Sequence, residues 1–262
     1  MIFDAHTHMP SEGWSGHKSC FTTVAEAVEY LKEAGTTAAL FNTWQGVFAA
    51  TENDLEQGNA DALELSEQYQ GFLFPGACIH PAFPDVSRRW LARFRALGHL
   101  WVGELVNYRK PYNYGDAAFL DLAADCATHG HVLQLHCHAD IYDVVRRFPS
   151  LQVVCSHIDV ALCRRLAELP NAWVDISGGA GGLEIGIIEE AYKALGPDRL
   201  LYGTDFTGYE PRCFQVRLQA AVPVTEDREN ILSGNLLHLL DQIGSKMPRG
   251  CQSPASGESN PH

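Results

Sequence analysis

Four short segments of this chain are apolar, strand-like runs that end in a side chain able to bind a metal ion. They are Phe3 to His8, Leu133 to His136, Val154 to His157 and Leu201 to Asp205. Because side chains alternate in direction along a strand, His6 and His8 are expected to face the same side. Two imidazoles on one face can bind one ion together. Repeated at several strand ends, this arrangement predicts a metal site in the mouth of a barrel.

Strand-like and helix-like segments alternate along the chain, which predicts a single (β/α)₈ TIM barrel, a fold of about 250 residues. The β-prone segments are Met1 to Ala5, Thr37 to Phe41, Gly71 to Cys78, Leu100 to Glu104, Val132 to His136, Gln152 to Ser156, Ala172 to Ile176 and Leu200 to Gly203. The helical segments are Thr23 to Ala34, Asp54 to Tyr69, Asp85 to Leu97, Asp116 to Thr128, Ile141 to Phe148, Val160 to Glu168 and Leu183 to Leu195. A doubly wound open sheet is the competing α/β fold.

One domain is expected over residues 1–245, followed by a flexible tail over 246–262 that is rich in Pro, Ser, Gly and Asn. The glycine-rich stretch Gly178 to Gly182 lacks the complete spacing of a dinucleotide-binding loop and predicts a mobile loop after the seventh strand.

Composition narrows the function classes. The formal charge of -13 disfavours nucleic acid and anionic membranes as partners. No apolar run is long enough for a membrane span, and the N-terminus does not have the pattern of a signal peptide. The eight cysteines include no Cys-x-x-Cys pair, and several sit in apolar strand-like runs, so we expect free thiols and a cytoplasmic location.

In a barrel of this kind, functional residues gather at the C-terminal ends of the strands. Six side chains that can bind a metal lie at five predicted strand ends. So many at this one kind of position are hard to assign to chance or to purely structural roles. They are His6, His8, Glu104, His136, His157 and Asp205.

These positions give the chain a specific resemblance to the amidohydrolase superfamily, in its amidohydrolase-related branch. The motifs that carry it are Asp4 to His8, Ser156-His157, Val174 to Gly178, Gly203 to Phe206 and Ile231 to Leu236. Their order matches from residue 1 to about 243. Ile79-His80-Pro81 and Gly103-Glu104 are also similar to elements of the TatD-type nucleases, although strands six to eight are not.

The resemblance implies one or two divalent ions at the barrel mouth, with His6, His8, His136 and Asp205 as metal ligands. Glu104 and His157 would complete a second position with Glu104 bridging, or His157 would polarise substrate instead. Imidazole and carboxylate ligands suit zinc first, with manganese or iron as alternatives. A bound divalent ion lowers the pKa of its water to about 7, and Asp205 is placed to accept the proton.

The residues expected to contact substrate are His80, Tyr108, Arg109, His138 and Arg212. Tyr108 and Arg109 belong to the loop after strand four, on the face where barrel loops define specificity. Trp44, after strand two, could join this substrate wall, and Trp14 and His17, in the loop after strand one, are weaker candidates on the same rim. The cations among these residues favour an anionic substrate.

The sequence therefore predicts a metal-dependent hydrolase that acts on a small ester, lactone, amide or phosphoester. A mononuclear decarboxylase on the same scaffold and a TatD-type nuclease are alternatives, and a metal-free barrel that only binds ligands is a third. The expected partner is a small-molecule substrate, and self-association as a homo-oligomer stays open.

Overall fold

The computed structural model describes residues 1–17 and 19–248 of the 262-residue chain. Its strands are β1 (Phe3–Met9), β2 (Ala38–Thr43), β3 (Leu73–Pro75), β4 (Trp101–Leu105), β5 (Val132–His136), β6 (Gln152–Ser156), β7 (Ala172–Asp175) and β8 (Leu200–Leu201). Its α-helices are α1 (Val24–Glu33), α2 (Trp44–Val47), α3 (Glu52–Gln68), α4 (Pro84–Ala96), α5 (Ala117–Thr128), α6 (Ile141–Arg147), α7 (Val160–Leu166), α8 (Gly178–Leu183), α9 (Ile187–Leu195), α10 (Pro211–Ala221), α11 (Thr225–Glu229) and α12 (Asn235–Ile243). The described residues also form a 3₁₀ turn (Pro197–Arg199) and a π-helical turn (Asn230–Gly234).

The strands are parallel and close into a TIM barrel. β1 to β3 form one hydrogen-bonded set, and β4 to β8 form another. Single parallel bridges join the two sets, between Ala77 and Val102 on one side and between Thr7 and Phe206 on the other. The carboxyl ends of all eight strands therefore meet at one mouth.

The helices begin where local sequence signals favour them. The Thr23 hydroxyl oxygen accepts a hydrogen bond from the Glu26 backbone N–H, and the Glu26 carboxylate accepts one from the Thr23 backbone N–H. This capping box is worth about 1 kcal/mol. Thr51 and Asp54 repeat this arrangement at the start of α3. The predicted apolar face of α1 is the buried one, with Val24, Ala27, Val28 and Leu31.

The barrel has an apolar end and a polar end. One buried cluster joins alternate strand residues to α12, namely Phe3, Ala5, Ala38, Leu40, Phe74, Trp101, Val132, Val154, Trp173, Leu201, Leu236, Leu239 and Leu240. A larger cluster lies between the strands and the surrounding helices. Further along the strands the buried side chains become polar. The apolar end of the barrel interior therefore lies beneath a group of buried polar side chains at the mouth.

Two irregularities in strand pairing change which side chains face the interior. The register of β1 against β2 shifts beside Ala5, and the register of β4 against β5 shifts beside Glu104. Ala5 belongs to the interior cluster, yet the next residue, His6, also points into the site. Strict alternation would place these neighbours on opposite faces, and an irregularity of this kind re-aims a side chain.

The prediction of a mobile loop at Gly178 to Gly182 is wrong, because α8 begins at Gly178. The physical reason is close packing around the glycines. A Cβ on Gly181 would lie 1.6 Å from the Ile176 carbonyl oxygen, and Gly178 has a φ of +74°. Gly178 and Gly181 are therefore positions where the backbone conformation or the close approach of a neighbour disfavours any other residue.

Some element limits also differ from the expected ones. β1 runs past Ala5 through both histidines, and β3 is shorter than the predicted segment. The helix predicted over Leu183 to Leu195 begins only at Ile187, directly after Gly186 in the left-handed conformation, and Leu183 is instead the last residue of α8.

The end of the described chain packs on the barrel. The Lys246 N–H donates to the Gly98 carbonyl at 2.8 Å, and Met247 is buried in the interior cluster. Residues 249–262 of the predicted flexible tail lie outside the described part of the chain. Within the described part, no helix is long and apolar enough to cross a membrane.

Candidate metal centre

His6 and His8 converge at the barrel mouth. Their Nε2 atoms lie 3.1 Å apart, and both residues are almost fully buried. The two rings meet nearly edge to face, with an interplanar angle of 88°. This confirms the expectation that β1 directs both imidazoles to the same side. Two ring nitrogens this close fit a shared hydrogen bond or a shared cation.

Glu104 lies between two pairs of histidines. Its Oε2 is 3.4 Å from Nε2 of His6 and 3.4 Å from Nε2 of His8. Its Oε1 is 2.9 Å from Nδ1 of His136 and 3.4 Å from Nε2 of His157. One carboxylate thus presents an oxygen to each pair, which is the geometry that a bridging ligand needs.

Asp205 belongs to the half of the site that contains His8. Its Oδ1 is 3.3 Å from Nε2 of His8 and 3.8 Å from Nε2 of His6. Asp205 has a φ of +61° and His157 a φ of +67°. L-residues rarely adopt this left-handed conformation, and such residues concentrate at functional sites.

The structure brings all six predicted ligands to the barrel mouth, where they form separate groups on the two sides of the Glu104 carboxylate. Among the described residues, the tight metal-competent sets are His6, His8 and Glu104, then Glu104, His136 and His157, and also His6, His157 and Asp175. His136 thus groups with His157 rather than with His6 and His8. The donors are imidazole nitrogens and carboxylate oxygens, a set that fits zinc, manganese or iron.

Opposite charges compensate one another inside the site. Burial alone would raise the pKa of Glu104, but the charge of His6 and hydrogen bonds from His136 and His157 hold this pKa well below its usual value. Burial alone would lower the pKa of His6, but Asp175 and Glu104 raise it well above normal. A proton on His6 therefore balances carboxylates that a divalent cation could balance instead.

Asp175 is a site residue to which the sequence reasoning gave no role. It ends β7, is fully buried, and accepts hydrogen bonds from His6 Nδ1 at 3.0 Å and from the His157 backbone at 3.1 Å. Burial raises its pKa, but the charge of His6 outweighs this effect and the resulting pKa is lowered. Its position at a strand end in the Val174 to Gly178 motif was the available signal.

Asp4 is a second buried carboxylate, and it holds β1 against the segment after β8. Its Oδ2 accepts from the Thr204 hydroxyl at 2.7 Å, and its Oδ1 accepts from the backbone of Thr204 at 3.1 Å and of His6 at 3.0 Å. Burial raises the pKa of Asp4 to about 7. Asp4 therefore fixes the backbone of His6 and of Thr204, the residue directly before Asp205.

Three of the predicted substrate residues are held by neighbouring groups. Nδ1 of His80 accepts from the Ala82 backbone and its Nε2 lies 3.1 Å from the Lys110 carbonyl oxygen. His138 lies 3.4 Å from the Asp140 carboxylate, and Arg212 lies 2.9 Å from the Glu210 carboxylate.

Tyr108 and Arg109 lie nearer the cluster. The Tyr108 ring meets His136 edge-on with centroids 5.0 Å apart, and about half of Tyr108 is exposed. Arg109 lies over the Phe48 ring and donates to the Gly16 carbonyl at 2.9 Å.

An aromatic wall completes the mouth on the side of β1 and β2. The Trp44 ring lies 4.2 Å from the His8 ring and stacks on His17 at 3.7 Å. The Trp44 indole N–H donates to the Thr207 hydroxyl at 3.0 Å. These contacts fix Trp44 beside a candidate metal ligand.

A TIM barrel with clustered histidines and carboxylates at its mouth defines the class of metal-centre barrel enzymes. A family model described as amidohydrolase matches residues 3–241. The chain belongs to this amidohydrolase family. A search of curated proteins finds no match.

Solved structures share the fold at low sequence identity. A 2,6-dihydroxybenzoate decarboxylase from Rhizobium has a TM-score of 0.71 at 12% identity, covering 93% of this chain and 99% of its own. A dihydroxybenzoic acid decarboxylase from Polaromonas with bound manganese has a TM-score of 0.68 at 15% identity, covering 91% and 96%. An amidohydrolase from Burkholderia multivorans with bound zinc has a TM-score of 0.68 at 16% identity, covering 92% and 99%.

Proposed function

We propose that this protein is a metal-dependent hydrolase of small molecules, in which Glu104 bridges two divalent ions. The observation that carries the proposal is the division of the Glu104 carboxylate. One oxygen faces His6 and His8 and the other faces His136 and His157, at 2.9–3.4 Å. Zinc is the first choice of ion, since the donor set combines imidazole nitrogens with carboxylate oxygens.

The proposed ligands fall into two positions. His6, His8 and Asp205 would hold one ion, and His136 and His157 would hold the other. When bound, a divalent ion lowers the pKa of water to about 7 and polarises a substrate carbonyl or phosphoryl oxygen.

Among the three carboxylates of the site, Asp205 is the best placed to move a proton. Its side chain is 16% exposed, whereas those of Glu104 and Asp175 are 4% and 0% exposed. A general base must reach both the reacting water and the leaving group, and Asp205 lies at the open side of the cluster. Glu104 and Asp175 are enclosed and act as fixed negative charges.

The rim supports a small anionic substrate. The Arg109 guanidinium lies over the Phe48 ring, which also contacts Tyr108, and its charge would add to that of the bound ions. We propose an ester, lactone, amide or phosphoester as the reacting group. A cytoplasmic location also belongs to the proposal, and the seven described cysteines, all of them free, support it.

A decarboxylase is the second candidate, and the names of the two decarboxylases of similar fold support it. In that reading one ion binds, and His157 stays free to act on substrate. The Nε2 end of His157 is compatible with this role, since its side chain is 17% exposed.

The decisive experiment measures metal content after loading the protein with zinc or manganese and removing excess ion. Two ions per chain are expected for the wild type, and fewer for Glu104→Gln, because the amide supplies only one oxygen. His238→Gln, an exposed histidine on α12, is the matched control and should keep both ions. A single ion in both the wild type and Glu104→Gln contradicts the bridge.

A substrate panel then separates the two reactions. Esters, lactones and amides of small acids are assayed for hydrolysis, and small aromatic acids are assayed for release of carbon dioxide. Carbon dioxide release by a one-metal protein would replace the hydrolase proposal with the decarboxylase.

A further inference from the structure

The Asp175 carboxylate accepts five hydrogen bonds, from two side chains and from the backbone and hydroxyl groups next to it. Its Oδ2 accepts from His6 Nδ1 at 3.0 Å and from Gln134 Nε2 at 2.9 Å. Its Oδ1 accepts from the backbone N–H groups of His157 at 3.1 Å and Ser177 at 3.0 Å, and from the Ser177 hydroxyl. The carboxylate is inaccessible to solvent, so these donors are its hydrogen-bond partners among the described residues.

Ser177 extends this network to the second histidine. Since its hydroxyl hydrogen is donated to Asp175, the lone pairs of its Oγ are left to accept. Nδ1 of His157 lies 2.9 Å from this oxygen, and Nδ1 of His6 lies 2.9 Å from it as well. Both imidazoles must therefore donate from Nδ1.

A neutral imidazole that donates from Nδ1 has its lone pair on Nε2. Nε2 of His6 is 3.4 Å from one oxygen of Glu104, and Nε2 of His157 is 3.4 Å from the other. Nδ1 of His8, by contrast, has no hydrogen-bond partner among the described residues. Of the two histidines that face Oε2 of Glu104, His6 therefore has its Nδ1 proton fixed by hydrogen bonds and His8 does not.

We propose that Asp175 and Ser177 fix the tautomers of His6 and His157 together, so that both present Nε2 lone pairs to the metal positions. The inference rests on the proposed function, because it assigns the two residues to metal positioning. They are positioning residues, since they act through the imidazoles and contact neither the ions nor the substrate.

The chemistry of substitution follows from the donors. Asn at position 175 would turn an NH₂ group toward one of the two donor sets, where an acceptor is needed. If that group faces Nδ1 of His6, this nitrogen must become the acceptor and the proton moves to Nε2, which then cannot bind metal. Loss of an outer partner of this kind typically weakens metal binding about 10–100-fold.

The test compares Asp175→Asn and Ser177→Ala with Ser156→Ala. Ser156 is the matched control, because it is a fully buried serine of the adjacent strand whose hydroxyl has no hydrogen-bond partner within residues 1–17 and 19–248. Zinc affinity is measured by competition with a chromophoric chelator. We expect about a 10–100-fold loss for both site variants and less than about a threefold change for the control.

Nitrogen-15 NMR of the metal-free proteins at alkaline pH reports the tautomers themselves. The wild type should show His6 and His157 protonated at Nδ1, and Ser177→Ala should lose this preference at His157. Circular dichroism identifies any variant that does not fold, and Ser177→Ala, which removes only one oxygen, is the milder change.

Unchanged tautomers and zinc affinity in folded Ser177→Ala would overturn the inference while leaving the metal centre intact. Failure of the wild type to bind zinc would instead overturn the proposed function, and the NMR measurement would still decide whether Asp175 and Ser177 set the tautomers.

Discussion

Gly178→Ala is expected to damage the site through the ring of His157. Gly178 has a φ of +74°, and a left-handed backbone costs an L-residue about 1–2 kcal/mol. The new Cβ would lie 2.5 Å from Nδ1 of His157, whereas ordinary contact begins at 3.4 Å, so the ring must move by about 0.9 Å. This movement also disrupts the 2.9 Å hydrogen bond to Ser177, worth about 0.5–1.5 kcal/mol. The free energy of unfolding should fall by about 2–3 kcal/mol.

Urea denaturation measures this loss, and zinc competition should show binding weakened about 10–100-fold. Gly179→Ala is the matched control. Its Cβ would lie 3.5 Å from the Tyr209 hydroxyl, an ordinary contact, and alanine in a helix is favoured over glycine by about 0.5–1 kcal/mol. The neighbouring substitutions should therefore have opposite effects on stability. A Gly178→Ala protein with wild-type stability and zinc affinity would refute the steric argument.

Three further outcomes are expected. Asp205→Asn should reduce turnover by about 10²–10⁴-fold while retaining more metal than His6→Ala, because the amide cannot accept a proton; steady-state kinetics with metal analysis checks this, and an active variant would remove Asp205 as the base. Burial lowers the pKa of His131 to about 4, so the unfolded chain binds its proton first as the pH falls below about 6.5. That residue should therefore remove up to about 3 kcal/mol of stability between pH 6.5 and pH 4, and urea titrations of His131→Phe should show a flatter pH dependence over this range than the wild type. Arg109→Ala should raise the Michaelis constant for anionic substrates more than Arg109→Lys does, and equal constants for both variants would argue against charge recognition.

The strand ends could be predicted because each depends on local sequence. β5 and β6 have the predicted limits, since Val132 to His136 and Gln152 to Ser156 are apolar runs bounded by turns. A parallel strand buried on both faces leaves little choice of residues, and the closed barrel then places all strand ends together. The placement of His6, Glu104 and Asp205 at the same mouth of the barrel follows from these two facts.

The supporting network could not be predicted because it depends on contacts distant in sequence. Asp175 joins His6, which lies 169 positions earlier, and its place at a strand end does not show which residue it contacts. The irregular pairing that turns Glu104 inward likewise arises from the fit between whole strands. The prediction of a mobile loop at Gly178 was wrong because glycine occurs for two different reasons. It is common in flexible loops, and it is also required where the backbone packs closely against its neighbours.

The division of His136 from His6 and His8 is a detail that a list of ligands does not contain. All three histidines lie at strand ends, but only the three-dimensional arrangement shows which oxygen of Glu104 each one faces. The positions of Tyr108 and Arg109 on the rim depend in the same way on loop packing. For that reason the substrate contacts stay a prediction.

Anomalous diffraction from crystals of the metal-loaded protein tests the central claim most directly. The account predicts two peaks that flank Glu104, one beside His6, His8 and Asp205 and the other beside His136 and His157. One peak with the Glu104 carboxylate turned away, or an ion bound elsewhere, would contradict it.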